Sequence, residues 1–408
     1  MKTILIEGGN VIDGKSKGPL EDCNVLVKGD KIAKIGVKKS DVPSGATIID
    51  AAGMTVMPGM IDSHVHLCHV PGSRFTSLPS SHALGAYVAA KKCVKSGFTT
   101  VRDCGSYGDS VFALRNSIQE GWIDGPRIQV GGTITSTMGH FDEGWPVTLP
   151  RPHAKYVADG IPEIRKAVRE RVREGSDFIK TSTSDSWSLT RSRSWWRNYS
   201  LEELTVLAEE SHAFGKKVSA HAYDARPSVE NAVLAGVDNI DHGIYLDEEV
   251  IELMKEKGTT ISPTMITIKL MYEKGSEHPL RIPNYEERAK ETWDLHIKSV
   301  QMAHKAGIKV GLSTDANMGY DLMGNNGWEL EVLVNDVGFT PMEAIMAATR
   351  INSEIMDLED EIGTIEEGKM ADILLVDPDP LKNISVLTER SNIKMVMLGG
   401  EPVIDRRA

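Results

Sequence analysis

Asp62-Ser63-His64-Val65-His66-Leu67, entered through the apolar residues 54–61, is the stretch around which the chain is organised. Side chains alternate faces along an extended strand, so His64 and His66 point to the same side of the backbone. Two imidazoles on one face can share one metal ion. Histidines are also common in partly buried, hydrogen-bonded structural roles, and the pair takes its meaning from what stands elsewhere. Four later residues, Lys180, His221, His242 and Asp315, occupy comparable positions at or near the ends of strand-like runs.

Outward from this stretch, residues 58–362 alternate short β-branched runs with longer amphipathic ones. The strand-like runs are 56–67, 99–103, 127–133, 178–183, 217–221, 239–242, 259–263 and 309–314. Helix-period runs cover 83–96, 110–120, 162–174, 201–214, 227–235, 247–257, 285–306 and 327–337. Such alternation predicts a parallel sheet, and eight units predict a closed (β/α)8 TIM barrel of the α/β class. In such barrels chemistry sits at the C-terminal ends of the strands, where His64, His66, Lys180, His221, His242 and Asp315 all fall. Residues 1–57 read differently, with short strands at 3–6, 23–28, 31–35 and 46–50 punctuated by Gly29-Asp30 and Pro43-Ser44-Gly45. The same style returns in 363–408, at 372–376, 394–398 and 402–405 with Gly399-Gly400 at a turn. Both chain ends are therefore expected to build one small β-sandwich domain, with the barrel inserted between them.

Composition narrows the function classes. A chain of 408 residues with 40% hydrophobic content can bury a large core. The net charge of −12 argues against a nucleic-acid binder, which needs a concentrated basic surface. Cys23, Cys68, Cys93 and Cys104 lack the spacing of a zinc ribbon or a redox pair, although Cys68 lies close enough to the histidines to be a minor ligand candidate. The opening Met1-Lys2-Thr3-Ile4-Leu5-Ile6-Glu7 is charged too soon for a signal peptide, and no apolar run approaches a membrane span. A cytoplasmic protein acting on a small molecule, assembled from identical chains, with neither a nucleic-acid nor a membrane partner, is the expectation.

These motifs resemble those of the amidohydrolase superfamily. The resemblance rests on His64-Val65-His66, His221, His242 and Ser313-Thr314-Asp315. Met57-Pro58-Gly59-Met60-Ile61-Asp62 and the stretch from Gly363-Thr364-Ile365 to Ala371-Asp372-Ile373 extend it over nearly the whole chain. It implies a binuclear centre of two divalent metal ions, with His64, His66 and Asp315 on the first and His221 and His242 on the second. Lys180, as N6-carboxylysine, would bridge them. An ammonium cannot ligate a cation, whereas a carbamate offers two anionic oxygens, and burial beside metals favours the neutral amine that reacts with carbon dioxide. Imidazole and carboxylate ligands make zinc the first choice, with manganese, cobalt and iron open. The resemblance further implies metal-assisted hydrolysis of a C–N bond, with Asp315 as the base that activates water and then the acid that protonates the leaving amine.

The pattern is nearest to the prolidase-like and carboxypeptidase-like dipeptidases and to members related to imidazolonepropionase. In those dipeptidases a histidine after the third barrel strand and a tyrosine just past the fifth-strand ligand help hold substrate, which assigns His140 and Tyr223 to a dipeptide or N-acyl amino acid, with His140 polarising its carbonyl or binding its carboxylate and Arg226 a lesser helper. Residues 184–200 carry Trp187, Trp195 and Trp196 with Arg191, Arg193 and Arg197. Such a loop suits a pocket wall, led by Trp187, or an oligomer contact. It departs from the dipeptidase pattern. Three other readings stand beside this one. A cyclic-amide hydrolase like imidazolonepropionase uses one metal and no bridging lysine. A deaminase places a glutamate where Asp224 stands. An inactive scaffold like the dihydropyrimidinase-related proteins would not need every ligand position filled.

Overall fold

The structure, a computed structural model, describes residues 2–68, 78–106, 108–137, 157–185, 196–274, 285–317 and 322–407. Its strands run in chain order as β1 (Thr3–Val11), β2 (Leu20–Lys28), β3 (Lys31–Ile35), β4 (Thr47–Asp50), β5 (Thr55–Pro58), β6 (Met60–Val65), β7 (Phe98–Asp103) and β8 (Arg127–Thr133). They continue as β9 (Phe178–Ser182), β10 (Val218–Asp224), β11 (Asn239–Tyr245), β12 (Thr260–Ser262), β13 (Ile373–Val376), β14 (Ile393–Leu398) and β15 (Glu401–Asp405).

The two ends of the chain share one sheet. Its order is β15-β14-β13-β5-β1-β2-β3, with β4 also on β1. It is mixed, because β1 runs parallel to β4 and β5 while the other pairs are antiparallel. Both chain ends thus build the small β domain together, as expected, with their strands hydrogen-bonded in one path. β1 can serve several neighbours because its register slips at Gly9, where an added Cβ would lie 2.3 Å from Val56 Cγ2. Period-2 alternation divides its side chains: Ile4, Ile6, Val25, Val27 and Ile32 pack in one cluster, while Leu5, Leu26 and Val37 form another.

The second sheet is wholly parallel, in the order β6 through β12. Residues 309–316 close it, through parallel bridges Ile261–Val310 on one side and Val65–Ala316 on the other. Ser63 N–H donates to Leu312 O, and Asp315 N–H to His64 O. At this eighth position side chains interleave with the backbone pairing. The Asp62 carboxylate accepts from Thr314 N at 3.2 Å, and Asn352 Nδ2 adds a second donor to Leu312 O at 2.7 Å, beside Ser63 N. The result is the expected α/β barrel, nearly closed, beside a sheet from both chain ends.

Most helices fall where the apolar period places them, as with Gly160–Arg173, Leu201–Ala213, Glu248–Lys257 and Tyr285–Ala306. The helix Met265–Lys274 and the helical run from Pro341 to Ile355 were not expected. The expected helix at 227–235 is instead a wide turn over Ala225–Val229 followed by Glu230–Leu234. Among the described residues no helix is long and apolar enough to cross a membrane.

Candidate metal centre

His64 is near the end of β6 and His66 is the next residue out on the same face, as period-2 geometry requires. Lys180 lies in β9, His221 in β10 and His242 in β11, and Asp315 stands in the closing segment. The barrel brings them together. Donor atoms of His64, His66 and Asp315 all lie within 4.8 Å of one another. His66 Nε2 is 3.0 Å and His64 Nε2 3.4 Å from Asp315 Oδ1. The His242 ring sits 5.3 Å from that of His64 and 4.6 Å from that of His221. Tyr223, buried, packs its ring 4.7 Å from His221 and 5.2 Å from His242.

The outer side of two imidazoles is anchored. His66 Nδ1 meets Gly105 O at 2.6 Å, and His242 Nδ1 meets Thr264 Oγ1 at 2.6 Å. A proton on each Nδ1 leaves the Nε2 lone pair facing inward. Asp103 holds the Gly105 turn, accepting from Gly105 N at 3.1 Å, Leu67 N at 2.8 Å and Ser106 Oγ at 2.6 Å. Asp62 joins β6 to the closing segment, accepting from His64 N, Thr314 Oγ1 and Asn326 Nδ2.

Backbone strain is concentrated here. His242, Thr264 and Asp315 have φ of +76°, +55° and +53°. Such conformations cost on the order of 1–3 kcal/mol each and persist where surrounding structure over-determines them.

Charge follows the same plan. Burial, reinforced by Lys180, lowers the His64 pKa to about 4, and burial holds His242 well below the ordinary imidazole value. Burial opposes ionisation of Asp315, yet the bond from His66 and the nearby imidazoles bring it down to about 2. Burial also disfavours charge on His66, but Asp315 outweighs it and raises the pKa. His64 and His242, held neutral beside an ionised Asp315, are donors that suit a divalent cation, and such a cation would take the place of the proton that His66 shares with Asp315. With His66 Nδ1 committed to Gly105 O, its Nε2 faces Asp315 Oδ1 at 3.0 Å, a contact that takes either a proton or a cation between the two atoms. The residues fit a metal ion.

Lys180 is buried with its Nζ against Asp241 Oδ2. Asp241 is fully buried, 3.1 Å from His64 Nδ1, and also accepts from Ser219 Oγ at 2.7 Å and Asn239 Nδ2 at 3.0 Å. Burial opposes its ionisation, but Lys180, His64 and Arg102 hold its carboxyl well below the usual range. Arg102 donates to Ser63 O at 2.6 Å and lies over the Phe178 ring. Neither Asp241 nor Arg102 was singled out from sequence, though Asp241 sits beside a candidate ligand at a strand end. Cys104, rather than Cys68, is the cysteine near His64 and Asp241 among the described residues. Arg226, expected to help hold substrate, instead meets Asp247, Glu249 and Glu230 in a solvent-facing ion cluster, where three carboxylates already satisfy its guanidinium. His140 and Trp187 lie outside the described residues.

The sequence profile of the Amidohydrolase family matches residues 55–403. The chain belongs to the amidohydrolase family. This amidohydrolase is 30% identical over 433 aligned residues to an ochratoxinase of Aspergillus niger, an alignment covering 98% of the chain and 86% of the relative. A crystal structure of a Xaa-Pro dipeptidase with methionine bound in its active site superposes with a TM-score of 0.90 at 30% identity, covering 98% and 99% of the two chains. A prolidase complexed with N-methylphosphonate-L-proline superposes with a TM-score of 0.91 at 28% identity, covering 99% and 100%. The amidohydrolase carries a candidate His/Asp metal site at the barrel position where its family does its chemistry.

Proposed function

We propose that this amidohydrolase cleaves the C–N bond of a small amide, a dipeptide or N-acyl amino acid, at a centre of two divalent cations. The observation that carries the reading is the convergence of His64, His66 and Asp315 within 4.8 Å, flanked by His221, His242 and Tyr223. Similarity over nearly the full length to a Xaa-Pro dipeptidase and a prolidase supports the substrate class.

In this reading His64, His66 and Asp315 hold one cation, His221 and His242 the other, and Lys180 as N6-carboxylysine spans both. Zinc is the first choice for this donor set. Bound there, the cations supply Lewis acidity toward the attacking water and the amide carbonyl. Asp315 accepts the proton of the water and returns it to the departing amine. Its side chain retains 14% exposure while His64 and His66 retain 2% and 4%, so it is the most accessible of the three. Tyr223, packed against the His221 and His242 rings, offers its hydroxyl to the substrate, and the binding of the substrate's carbonyl or terminal carboxylate is proposed for His140.

The test is turnover of dipeptide and N-acyl amino acid libraries by zinc-loaded protein, with metal counted per chain. Release of a free amino acid at two metals per chain supports the reading. Turnover confined to lactams or lactones at one metal per chain replaces it with cyclic-amide hydrolysis.

A further inference from the structure

Behind His242 stand buried groups that the proposed chemistry does not use. Thr264 receives His242 Nδ1 at 2.6 Å, and His296 Nε2 donates to His242 O at 3.1 Å. Thr264 is itself in the left-handed region, with φ +55°, and its N–H donates to Ser313 Oγ at 3.0 Å. The next two amides, Met265 N and Ile266 N, donate to the two carboxyl oxygens of Glu329 at 3.0 and 2.6 Å. They open the helix Met265–Lys274, so they have no acceptor within it. Glu329 reaches them from the helix Trp328–Val332 and is fully buried. One turn on, Thr267 Oγ1 donates to Thr314 O at 2.7 Å, beside Asp315.

A left-handed position would suit glycine, which has no Cβ to clash; a β-branched residue there is a steric outlier. What threonine has and glycine lacks is the hydroxyl, and that hydroxyl contacts an imidazole nitrogen. We propose that Thr264, held in place by Glu329, is a positioning residue that sets the tautomer of His242, with Nδ1–H donated to Oγ1 and the Nε2 lone pair presented to the cation. The inference rests on the reading of His242 as a metal ligand.

Cobalt(II) alone, titrated into the metal-free full chain and followed by its visible absorption, tests this without any substrate. Thr264→Gly removes the hydroxyl while relieving the backbone. A purely structural role predicts unchanged or higher thermal stability with unchanged cobalt binding. Positioning predicts that the dissociation constant of the His242-dependent cobalt rises by about 10–100-fold with an altered spectrum, the usual effect of losing a partner behind a metal ligand. Thr264→Ser restores both, and Glu329→Gln weakens binding in the same direction. Should Thr264→Gly match the unmodified protein while His242→Ala loses a cobalt equivalent, the positioning role is overturned and His242 stands as a ligand. Should His242→Ala bind cobalt unchanged, the ligand assignment fails and takes the positioning role with it.

Discussion

Glu329 is a carboxyl whose burial, opposed by two backbone donors, pushes its pKa from 4.5 up to about 8. The folded chain therefore holds a proton over a range where the unfolded chain has released it. Stability from this group is fully present below about pH 4.5 and is lost as pH rises toward about 8. Buried His64 and His242, whose pKa values are lowered, act in the opposite sense up to about pH 6.5, so the contribution of Glu329 is read as a difference. In scanning calorimetry of metal-free protein between about pH 4.5 and 8, the midpoint of Glu329→Gln should gain on that of the unmodified protein as pH rises, and parallel pH profiles would mean that Glu329 is not held protonated. Asp315 makes a different prediction, through the proton-carrying role proposed for it. Asp315→Asn keeps the shape but neither the charge nor the basicity, so hydrolysis should fall by about 10²–10⁴-fold. Steady-state rates on the released amino acid check this, and an unchanged rate removes Asp315 from proton transfer. The six candidate ligands could be read from the chain because each stands on or beside a periodic strand. Asp241, Arg102, Thr264 and Glu329 could not, since their partners are distant in sequence: Lys180 meets Asp241 across 61 residues and Ile266 meets Glu329 across 63. Buried aspartate, arginine or threonine carries no periodic signal of its own.

Elements repeat the pattern with different physics. Seven strands and the longer amphipathic helices follow directly from periodicity, which reports which face is buried. At the eighth barrel position the Asp62 carboxylate takes Thr314 N out of backbone pairing, and such competition is invisible in one strand's own residues. The helix Met265–Lys274 was missed because it is buried nearly all round at its start, Met265 through Ile268, leaving little polar face for a period to show. Two junctions yield predictions. At Gly59 the chain passes from β5 of the outer sheet to β6 of the barrel, and an added Cβ would lie 2.1 Å from Thr99 Oγ1. Gly59→Ala should destabilise by about 1–3 kcal/mol, the ordinary range for overpacking, read from denaturant midpoints. At Ser200 a reciprocal cap joins Ser200 Oγ to Glu203 N at 3.2 Å and Glu203 Oε2 to Ser200 N at 2.8 Å, while Glu203 Oε1 also takes Gly160 N from the neighbouring helix. Ser200→Ala should cost about 1 kcal/mol; no change in the midpoint would show that solvent satisfies these amides equally well.

Across the whole molecule, the candidate ligands come from β6, β9, β10, β11 and the closing segment, so a bound cation cross-links separate parts of the barrel wall. Closure between β12 and β6 depends on isolated bridges rather than a full ladder, which makes this the seam most open to such a link. Ligand geometry exists only when the barrel is closed, and the metal thus binds the folded state far better than the unfolded one. Linkage then adds stability in proportion to the logarithm of free metal over its dissociation constant, about 4 kcal/mol at a thousandfold excess. Removing metal with a chelator should lower the thermal midpoint, and zinc should restore it. A His64→Ala/His66→Ala double variant should respond much less to either treatment, because most of one cation's donor set is gone. If plasma emission analysis confirms that the metal has been stripped and the midpoint of the unmodified protein has not moved, the cation is not coupled to barrel closure.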